Sequence, residues 1–348
     1  MILILLTLPS STATPYWVKP GIYVEYAAKR YDPYIENQVS LGTRPDLITT
    51  ASLLYIRNGT SYWIDCYNDT TIKFRVFRKE NGYFIVGVVV DLKNVTIKFE
   101  VPRDGHVTPF WDSADVLSIS RKVLSDGTVG VKVKLRSLRI LEDYKIRERD
   151  GVVIGPDGTI YGHTFLWMEN VSPNSTLVVL PQYHWNATVI GVSPENQKGL
   201  MTYYRIFDPP IVMVMAMGPP LVIPKRLEFS TNTPEGLMYD PSTELVLDIG
   251  SVGIAIVPDL AAISIPFATF TDEYYQFKIQ HHKGGNVKYP TGLILYDTNA
   301  GFQRAQQEPF PKPKTPTEYC FYASIIFLGA VIARKEVKLR WRKEKESL

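Results

Sequence analysis

The residues that could bind a metal or move a proton include five histidines. Neutral imidazole is a common zinc ligand and titrates near neutral pH. The histidines are His106, His163, His184, His281 and His282. None shows the His-Glu-X-X-His spacing that places two ligands on one helical face, and adjacent histidines point to opposite faces of a strand. The spacing therefore predicts no metal site, and we expect no cofactor.

One carboxylate has the sequence setting of an aspartic peptidase, in which two carboxylates share a proton and activate water. Asp248 begins the string Asp-Ile-Gly-Ser after the apolar residues 245–247. Ile249 replaces the hydroxyl residue that normally orients such a site, and the motif has no second copy. Serine-hydrolase, P-loop and dinucleotide motifs are absent as well. A strand that ends in a glycine turn explains the string better, so we assign no catalytic residue.

The acceptor pattern for N-glycosylation, Asn-X-Ser/Thr, is over-represented. It occurs at six of the twelve asparagines, whereas chance would give about 1.5 such sites. The acceptors are Asn58, Asn68, Asn94, Asn170, Asn174 and Asn186. An occupied site must lie at the surface, because a glycan cannot be packed into a core. A turn asparagine next to a strand threonine is the alternative explanation for any single site.

Aromatic residues crowd the beginning of the chain and surround one acceptor. The first group is Tyr16, Trp17, Tyr23, Tyr26, Tyr31 and Tyr34, and the second is Tyr183, His184 and Trp185 beside Asn186. Such clusters can stack on sugars or peptides. Packing between neighbouring strands is the stronger interpretation.

The stretch 319–333 is uncharged and predicts a transmembrane helix. Fifteen residues span roughly 22 Å of a bilayer core that is about 30 Å thick, so interfacial tyrosines and snorkelling lysines must complete the span. A buried core helix remains the alternative. The anchor residues are Tyr319, Phe321, Ile325, Ile326, Phe327, Leu328, Val331 and Ile332, and the stop-transfer cations are Arg334, Lys335, Lys338 and Arg340.

The remaining ends and the charge indicate an orientation. Residues 1–14 resemble a secretory signal without a basic start, although a first core strand would also fit. The tail 334–348 contains seven cations and three acids, which gives it a charge of +4. Because the whole chain has a net charge of +3, residues 1–333 have a net charge of −1. By the positive-inside rule the tail is cytoplasmic and the body extracellular. A body without a basic face argues against nucleic acid as a partner.

Two cysteines cannot form a disulfide in this topology, because Cys320 falls inside the anchor while Cys66 lies in the exported body. Alternating apolar and polar residues predict an all-β body, with hairpin turns at Asn58-Gly59 and Asn81-Gly82. We expect antiparallel sandwich or curved half-barrel modules. The predicted domains are 15–145, carrying acceptor sites, and 146–302, followed by a Pro-rich stalk at 303–318.

Three segments carry a resemblance to known proteins. They are residues 15–26, residues 158–167 and the hairpin around Tyr239-Asp240-Pro241. With the domain plan, they resemble uncharacterised, membrane-anchored, N-glycosylated surface proteins of hyperthermophilic archaea. The resemblance implies an exported β-rich glycoprotein with a C-terminal anchor, and it implies no catalytic residues because that group has no agreed activity.

The sequence as a whole predicts a single-pass cell-membrane protein that has a binding or structural role in the cell envelope. Its expected partners are the lipid bilayer and other envelope proteins or glycans. The alternative is a membrane-tethered extracellular hydrolase, either aspartic-peptidase-like or directed at glycans. That alternative requires a cleft in which two or more of Asp240, Asp248, His163, His184 and His281 converge.

Overall fold

A computed structural model describes residues 14–30, 49–105, 107–168, 173–193, 198–218, 235–250, 257–275, 287–288 and 290–301. These residues are organised almost entirely into β-strands, which confirms the all-β prediction. The strands are β1 (Tyr23–Ala28), β2 (Ala51–Arg57), β3 (Thr60–Cys66), β4 (Thr70–Glu80), β5 (Tyr83–Val101), β6 (Val116–Val123), β7 (Val129–Arg147), β8 (Val152–Ile154), β9 (Ile160–His163), β10 (Thr176–Val179), β11 (Trp185–Val192), β12 (Gly199–Met201), β13 (Ile206–Phe207), β14 (Val212–Met217), β15 (Glu235–Asp240), β16 (Leu245–Ile249), β17 (Phe267–Phe270), β18 (Val287–Lys288) and β19 (Leu293–Thr298).

Both predicted hairpins are present. Asn58 and Gly59 have φ values of 50° and 74° in the turn between β2 and β3, and Asn81 and Gly82 have φ values of 50° and 78° between β4 and β5. Positive φ at both central residues gives the turn a twist that matches the flanking strands. Asparagine and glycine tolerate this region better than other residues, so the local sequence is sufficient to specify these reversals.

Twelve antiparallel strands form a closed ring. Its order is β5, β4, β1, β19, β16, β15, β14, β11, β10, β9, β8 and β7, and β7 pairs back onto β5. β5 and β7 are 19 residues each and pair from Tyr83↔Arg147 to Val101↔Val129. This long pairing closes the ring, whereas we expected a sandwich or a curved half-barrel.

A six-stranded sheet branches from the ring and is called the lobe sheet below. It consists of β17, β2, β3, residues 95–101 of β5, residues 129–135 of β7, and β6. The branch occurs because β5 pairs with β4 through Leu92 and with β3 from Val95 onward. Asn94, at φ 54°, lies between these two pairings as an unpaired residue. β12, β13 and β18 form a separate small sheet.

The described residues all belong to one compact unit. The boundary predicted after residue 145 falls inside β7. Strands from both predicted modules contribute to the same ring, because β1, β4, β5 and β7 precede that point or cross it while the other ring strands follow it. The 303–318 stalk and both terminal segments lie outside the described residues.

The core is rich in aromatic residues from around the ring. The short helix α1 (Pro258–Ala261) brings Asp259 into this core, where the carboxylate accepts hydrogen bonds from the Tyr144 hydroxyl at 2.6 Å, the Thr164 hydroxyl at 2.6 Å and the Phe165 amide at 2.8 Å. Burial raises the pKa of Asp259, and the three donors oppose that rise. Asp259 therefore links α1, β7 and residues 164–165 as a structural group.

Candidate functional site

The acceptor asparagines that the structure describes all lie at the surface. They are Asn58, Asn68, Asn94, Asn174 and Asn186, each of them exposed. Asn170 lies outside the described residues. Exposure is the physical requirement for a glycan, because the attached sugar needs free volume around the amide nitrogen.

Three of these asparagines have a backbone reason to be asparagine. Asn58, Asn94 and Asn174 have positive φ values of 50°, 54° and 69°. Asparagine is several-fold enriched in this left-handed region. Their side-chain type is therefore explained by the turn or bulge that they form, whether or not a sugar is attached.

The other two lack that explanation. Asn68 and Asn186 do not have positive φ, and Asn186 lies within β11, where asparagine has a low strand propensity. Asn186 pairs directly with Val178 of β10, which is 57% exposed, and Ile190, on β11 like Asn186, is 49% exposed. An exposed asparagine next to exposed apolar side chains is the arrangement in which an attached glycan would cover apolar surface.

The predicted anchor and its flank fall outside the described residues, as do His106, His281 and His282. Within the described ranges, no helix has both the length and the apolar character needed to cross a bilayer. The same ranges contain no group of three or more His, Cys, Asp or Glu side chains arranged to hold a metal ion.

The remaining candidates for chemistry are spread over the fold. His163 is buried on β9, its Nδ1 lies 2.7 Å from the Thr164 carbonyl oxygen, and burial lowers its pKa. His184 is exposed. Asp240 accepts hydrogen bonds from the hydroxyls of Ser242 and Thr243, each at 2.7 Å. Among the described residues, no hydrogen bond joins any two of these groups or joins one of them to Asp248.

The N-terminal aromatics mostly belong to the core. Trp17 is 3% exposed, donates its indole N–H to the Thr243 carbonyl oxygen at 2.7 Å, and meets Trp167 edge-on at 6.1 Å. Tyr26 is fully buried and donates to the Val246 carbonyl oxygen at 3.1 Å. Tyr16 is 49% exposed, whereas Tyr31 and Tyr34 lie outside the described residues. Cys66 is buried and is not in a disulfide.

One group of charged and aromatic side chains was not predicted, and it is called the Asp272 cluster below. It consists of Lys29, Tyr203, Asp272, Tyr275 and Tyr296, which come from four separate segments of the chain. Asp272 is fully buried and accepts hydrogen bonds at 2.8 Å from the Lys29 amide, the Tyr203 hydroxyl and the Tyr275 amide. Burial raises its pKa to about 6 despite these donors and the nearby Lys29 cation.

Tyrosine rings form the outer part of this cluster. Tyr203 stacks on Tyr275 with ring centres 4.7 Å apart and meets Tyr296 edge-on at 5.8 Å. The Lys29 ammonium lies 4.3 Å from the centre of the Tyr296 ring and 5.4 Å from that of Tyr203. Tyr203 and Tyr296 are half-buried, so each presents part of a ring to solvent. A rigid, partly exposed aromatic surface of this kind can stack on a sugar or peptide.

Asp248 lies close enough to the Asp272 cluster to respond to the charge of Asp272. Asp248 is fully buried. Burial is the main cause that raises its pKa well above the usual range of a carboxyl, and the charge of Asp272 adds to it. The amides of Gly292 and Ile249 face its carboxylate and oppose that rise, but neither reaches full hydrogen-bond geometry. Asp272 reaches the same segment, because its amide donates to the Thr291 carbonyl oxygen at 2.8 Å. Burial therefore favours the protonated form of Asp248.

Two consecutive tyrosine pairs, Tyr203-Tyr204 and Tyr274-Tyr275, were the sequence signal that could have indicated this cluster. No local pattern links Tyr203-Tyr204 with Lys29 or Asp272, which are far from that pair along the chain.

A scan against protein-family models, a search of curated proteins and a search of solved structures each found no match.

Proposed function

We propose that this chain is an exported, N-glycosylated protein of the cell envelope, held in the lipid bilayer by residues 319–333, with a binding or structural role. The body is extracellular and the basic tail cytoplasmic, as in the archaeal surface proteins that the sequence resembles. The observation that carries the proposal is that every acceptor asparagine within the described residues is exposed.

Asn186 supports the proposal most directly. Its backbone conformation does not require asparagine, and its strand neighbours on the outer surface include Val178 and Ile190, which are 57% and 49% exposed. Apolar side chains in contact with water cost free energy, so a hydrophilic cover at this position would stabilise the surface. The six acceptors lie between residues 58 and 186, which leaves later strands free of sugar for packing or binding.

The binding role is assigned to the Asp272 cluster, where Tyr203 and Tyr296 offer partly exposed rings beside a cation. The hydrolase alternative has less support among the described residues. Asp248 and Asp272 do lie near each other, but both are fully buried. A pair that activates water must reach solvent and substrate, because the reacting atoms have to approach within hydrogen-bond distance.

The glycan is tested with a matched pair of variants at Thr188. Thr188→Ser keeps the acceptor pattern at Asn186, whereas Thr188→Ala removes it and leaves Asn186 in place. The full chain is expressed in cells that N-glycosylate exported proteins, and glycopeptides are measured by mass spectrometry. We expect the Asn186 glycan in the native chain and Thr188→Ser but not in Thr188→Ala. An unmodified Asn186 peptide in the native chain would contradict this part of the proposal.

The anchor is tested separately by ending the chain after residue 318. We expect the full chain to remain with the membrane and to be cut by protease added to intact cells, and we expect the shortened chain to appear in the medium. If the shortened chain stays with the cells, or if the full chain is protected from external protease, the proposed topology is wrong.

A further inference from the structure

β6 is an edge of the lobe sheet with unusual exposure. Within the described part of the chain it pairs with β7 alone. All of its residues after Val116 are exposed, including Leu117 at 57%, Ile119 at 54% and Val123 at 61%. An exposed strand edge offers unpaired N–H and C=O groups as a template for another strand, and proteins usually protect such edges.

The apolar side chains of β6 continue a buried surface. Ile119 is directly opposite Val133 of β7, which is 1% exposed, and Val133 is opposite Ile97 of β5, which is 0% exposed. Side chains directly opposite each other share one face of a sheet. The core face of the lobe sheet therefore extends across β5 and β7 and becomes exposed only at β6.

The opposite face of the same edge is cationic. Ser118 and Ser120 of β6 pair with Lys134 and Lys132 of β7, and both lysines are exposed without an ion pair among the described residues. On β6 itself, Lys122 is on this face because it pairs with Gly130, whereas Arg121 pairs with Val131 and lies on the apolar face. β6 contains no acidic residue. The acids nearest to its end, Glu100 and Asp126, line one shallow depression together with Lys122. The middle of the edge therefore has uncompensated positive charge.

This charge distinguishes between two possible occupants. A second copy of the chain added at the same edge would bring Lys132 and Lys134 of each copy toward the same cations of the other. Like charges across an interface oppose association, whereas carboxylates placed opposite these cations favour it. The edge is thus suited to a partner strand that alternates acidic and aliphatic residues.

We propose that β6 is a docking strand for an extended segment of a partner protein that alternates acidic and aliphatic residues and adds as a seventh strand to the lobe sheet. The aliphatic residues of the segment cover Leu117, Ile119 and Val123, and its carboxylates lie beside Lys132 and Lys134. Strand addition obtains affinity from main-chain hydrogen bonds and selectivity from alternate side chains. The proposal is independent of the anchor and of the glycans, since it concerns binding to the folded body.

The probe is a fluorescent synthetic peptide of about eight residues, a usual strand length, that alternates glutamate with valine or isoleucine. A second peptide has lysine in place of every glutamate. Binding to the purified full chain in detergent is measured by fluorescence anisotropy. We expect the acidic peptide to bind at least about tenfold more tightly than the lysine peptide. We also expect its binding to weaken as salt rises from about 50 mM to about 500 mM.

Two kinds of variant locate the binding. Ile119→Lys places a charged side chain on the apolar face, opposite the aliphatic residues of the peptide, and should weaken the acidic peptide about tenfold. Ile190→Lys is the matched control, because Ile190 is 49% exposed on β11, which is paired on both sides, and it should leave binding unchanged. Lys132→Glu combined with Lys134→Glu should reverse the preference between the two peptides, which a misfolded variant would not do.

Three results would overturn the proposal. The first is failure of the acidic peptide to bind the native chain, and the second is equal weakening by Ile119→Lys and Ile190→Lys. The third is a dimer of the native chain in light scattering that Ile119→Lys converts to a monomer, since β6 would then be occupied by a second copy.

Discussion

The hydrogen bond between Tyr203 and Asp272 should contribute more to stability at alkaline pH than at acid pH. The Tyr203 hydroxyl donates to Asp272 at 2.8 Å, and burial raises the pKa of Asp272 from 3.8 to about 6. Folding therefore favours the protonated carboxyl. The stability contributed by Asp272 is complete below about pH 4 and is lost as the pH rises through about 6, by about 3 kcal/mol in total.

Tyr203→Phe removes this donor and retains the ring. A hydrogen bond to a carboxylate contributes about 1.5–3 kcal/mol, whereas one to a neutral carboxyl contributes about 0.5–1.5 kcal/mol. The variant should therefore lose about 2 kcal/mol at about pH 8 and about 1 kcal/mol at about pH 4.5. The difference of about 1 kcal/mol corresponds to a further rise of about 0.7 in the pKa of Asp272.

The assay is urea unfolding of the purified full chain at both pH values, followed by tryptophan fluorescence. Tyr296→Phe is the matched control, because the Tyr296 ring contacts Lys29 and Tyr203 but its hydroxyl makes no hydrogen bond among the described residues. The control should show no pH-dependent loss. If Tyr203→Phe loses the same free energy at both pH values, the assignment of a proton to Asp272 at low pH is wrong.

Substitutions at Asp259, Gly292 and Asp248 test the core. Asp259→Ala leaves three buried donors without an acceptor and should lower the free energy of unfolding by about 3–6 kcal/mol. Asp259→Asn keeps one acceptor oxygen and should lower it by less. Equal losses for the two variants in urea unfolding would contradict the hydrogen-bond network. Gly292→Ala places a methyl group against the Ile249 carbonyl oxygen and should lower stability by about 1–3 kcal/mol. Gly191→Ala is the control, because its methyl group enters open space and should leave the melting temperature unchanged. An unchanged melting temperature for Gly292→Ala would show that the strands can separate locally. Asp248→Asn removes a carboxyl whose pKa is raised by burial, so the free energy of unfolding should decline less between about pH 4 and about pH 8 than in the native chain. The same decline in both proteins would mean that Asp248 is ionised in the folded protein.

Local features of the sequence predicted the strands and two of their turns. The Asn-Gly pairs at residues 58–59 and 81–82 adopt the expected positive φ values, because that preference belongs to the two residues themselves. The alternation in β4 and β7 likewise reflects a property of one strand, namely that successive side chains point to opposite faces. The described acceptor asparagines are exposed, as expected for polar residues at turns and on the outward face of a strand.

Ring closure depends on pairings that no local pattern specifies. β1 pairs with β19, which lies more than 260 residues later, and β5 changes its partner from β4 to β3 at Asn94 while keeping β7 on its other side. Alternation defines which residues can share a face, but it does not define which strand lies next to which. We therefore expected separate modules where the chain forms one ring with a lobe.

The Asp272 cluster shows the same division between sequence and tertiary structure. The sequence drew attention to Asp248 through the Asp-Ile-Gly-Ser string. Its raised pKa, however, depends on burial and on Asp272, which is brought close through the pairing of β16 with β19 and through the segment before β19. Residue type and local spacing determined the strands, the turns and the acceptor pattern, because those depend on short-range sterics and chemistry. The tertiary structure alone decided which carboxylates are buried, since burial and charge interactions depend on residues that are distant in the chain.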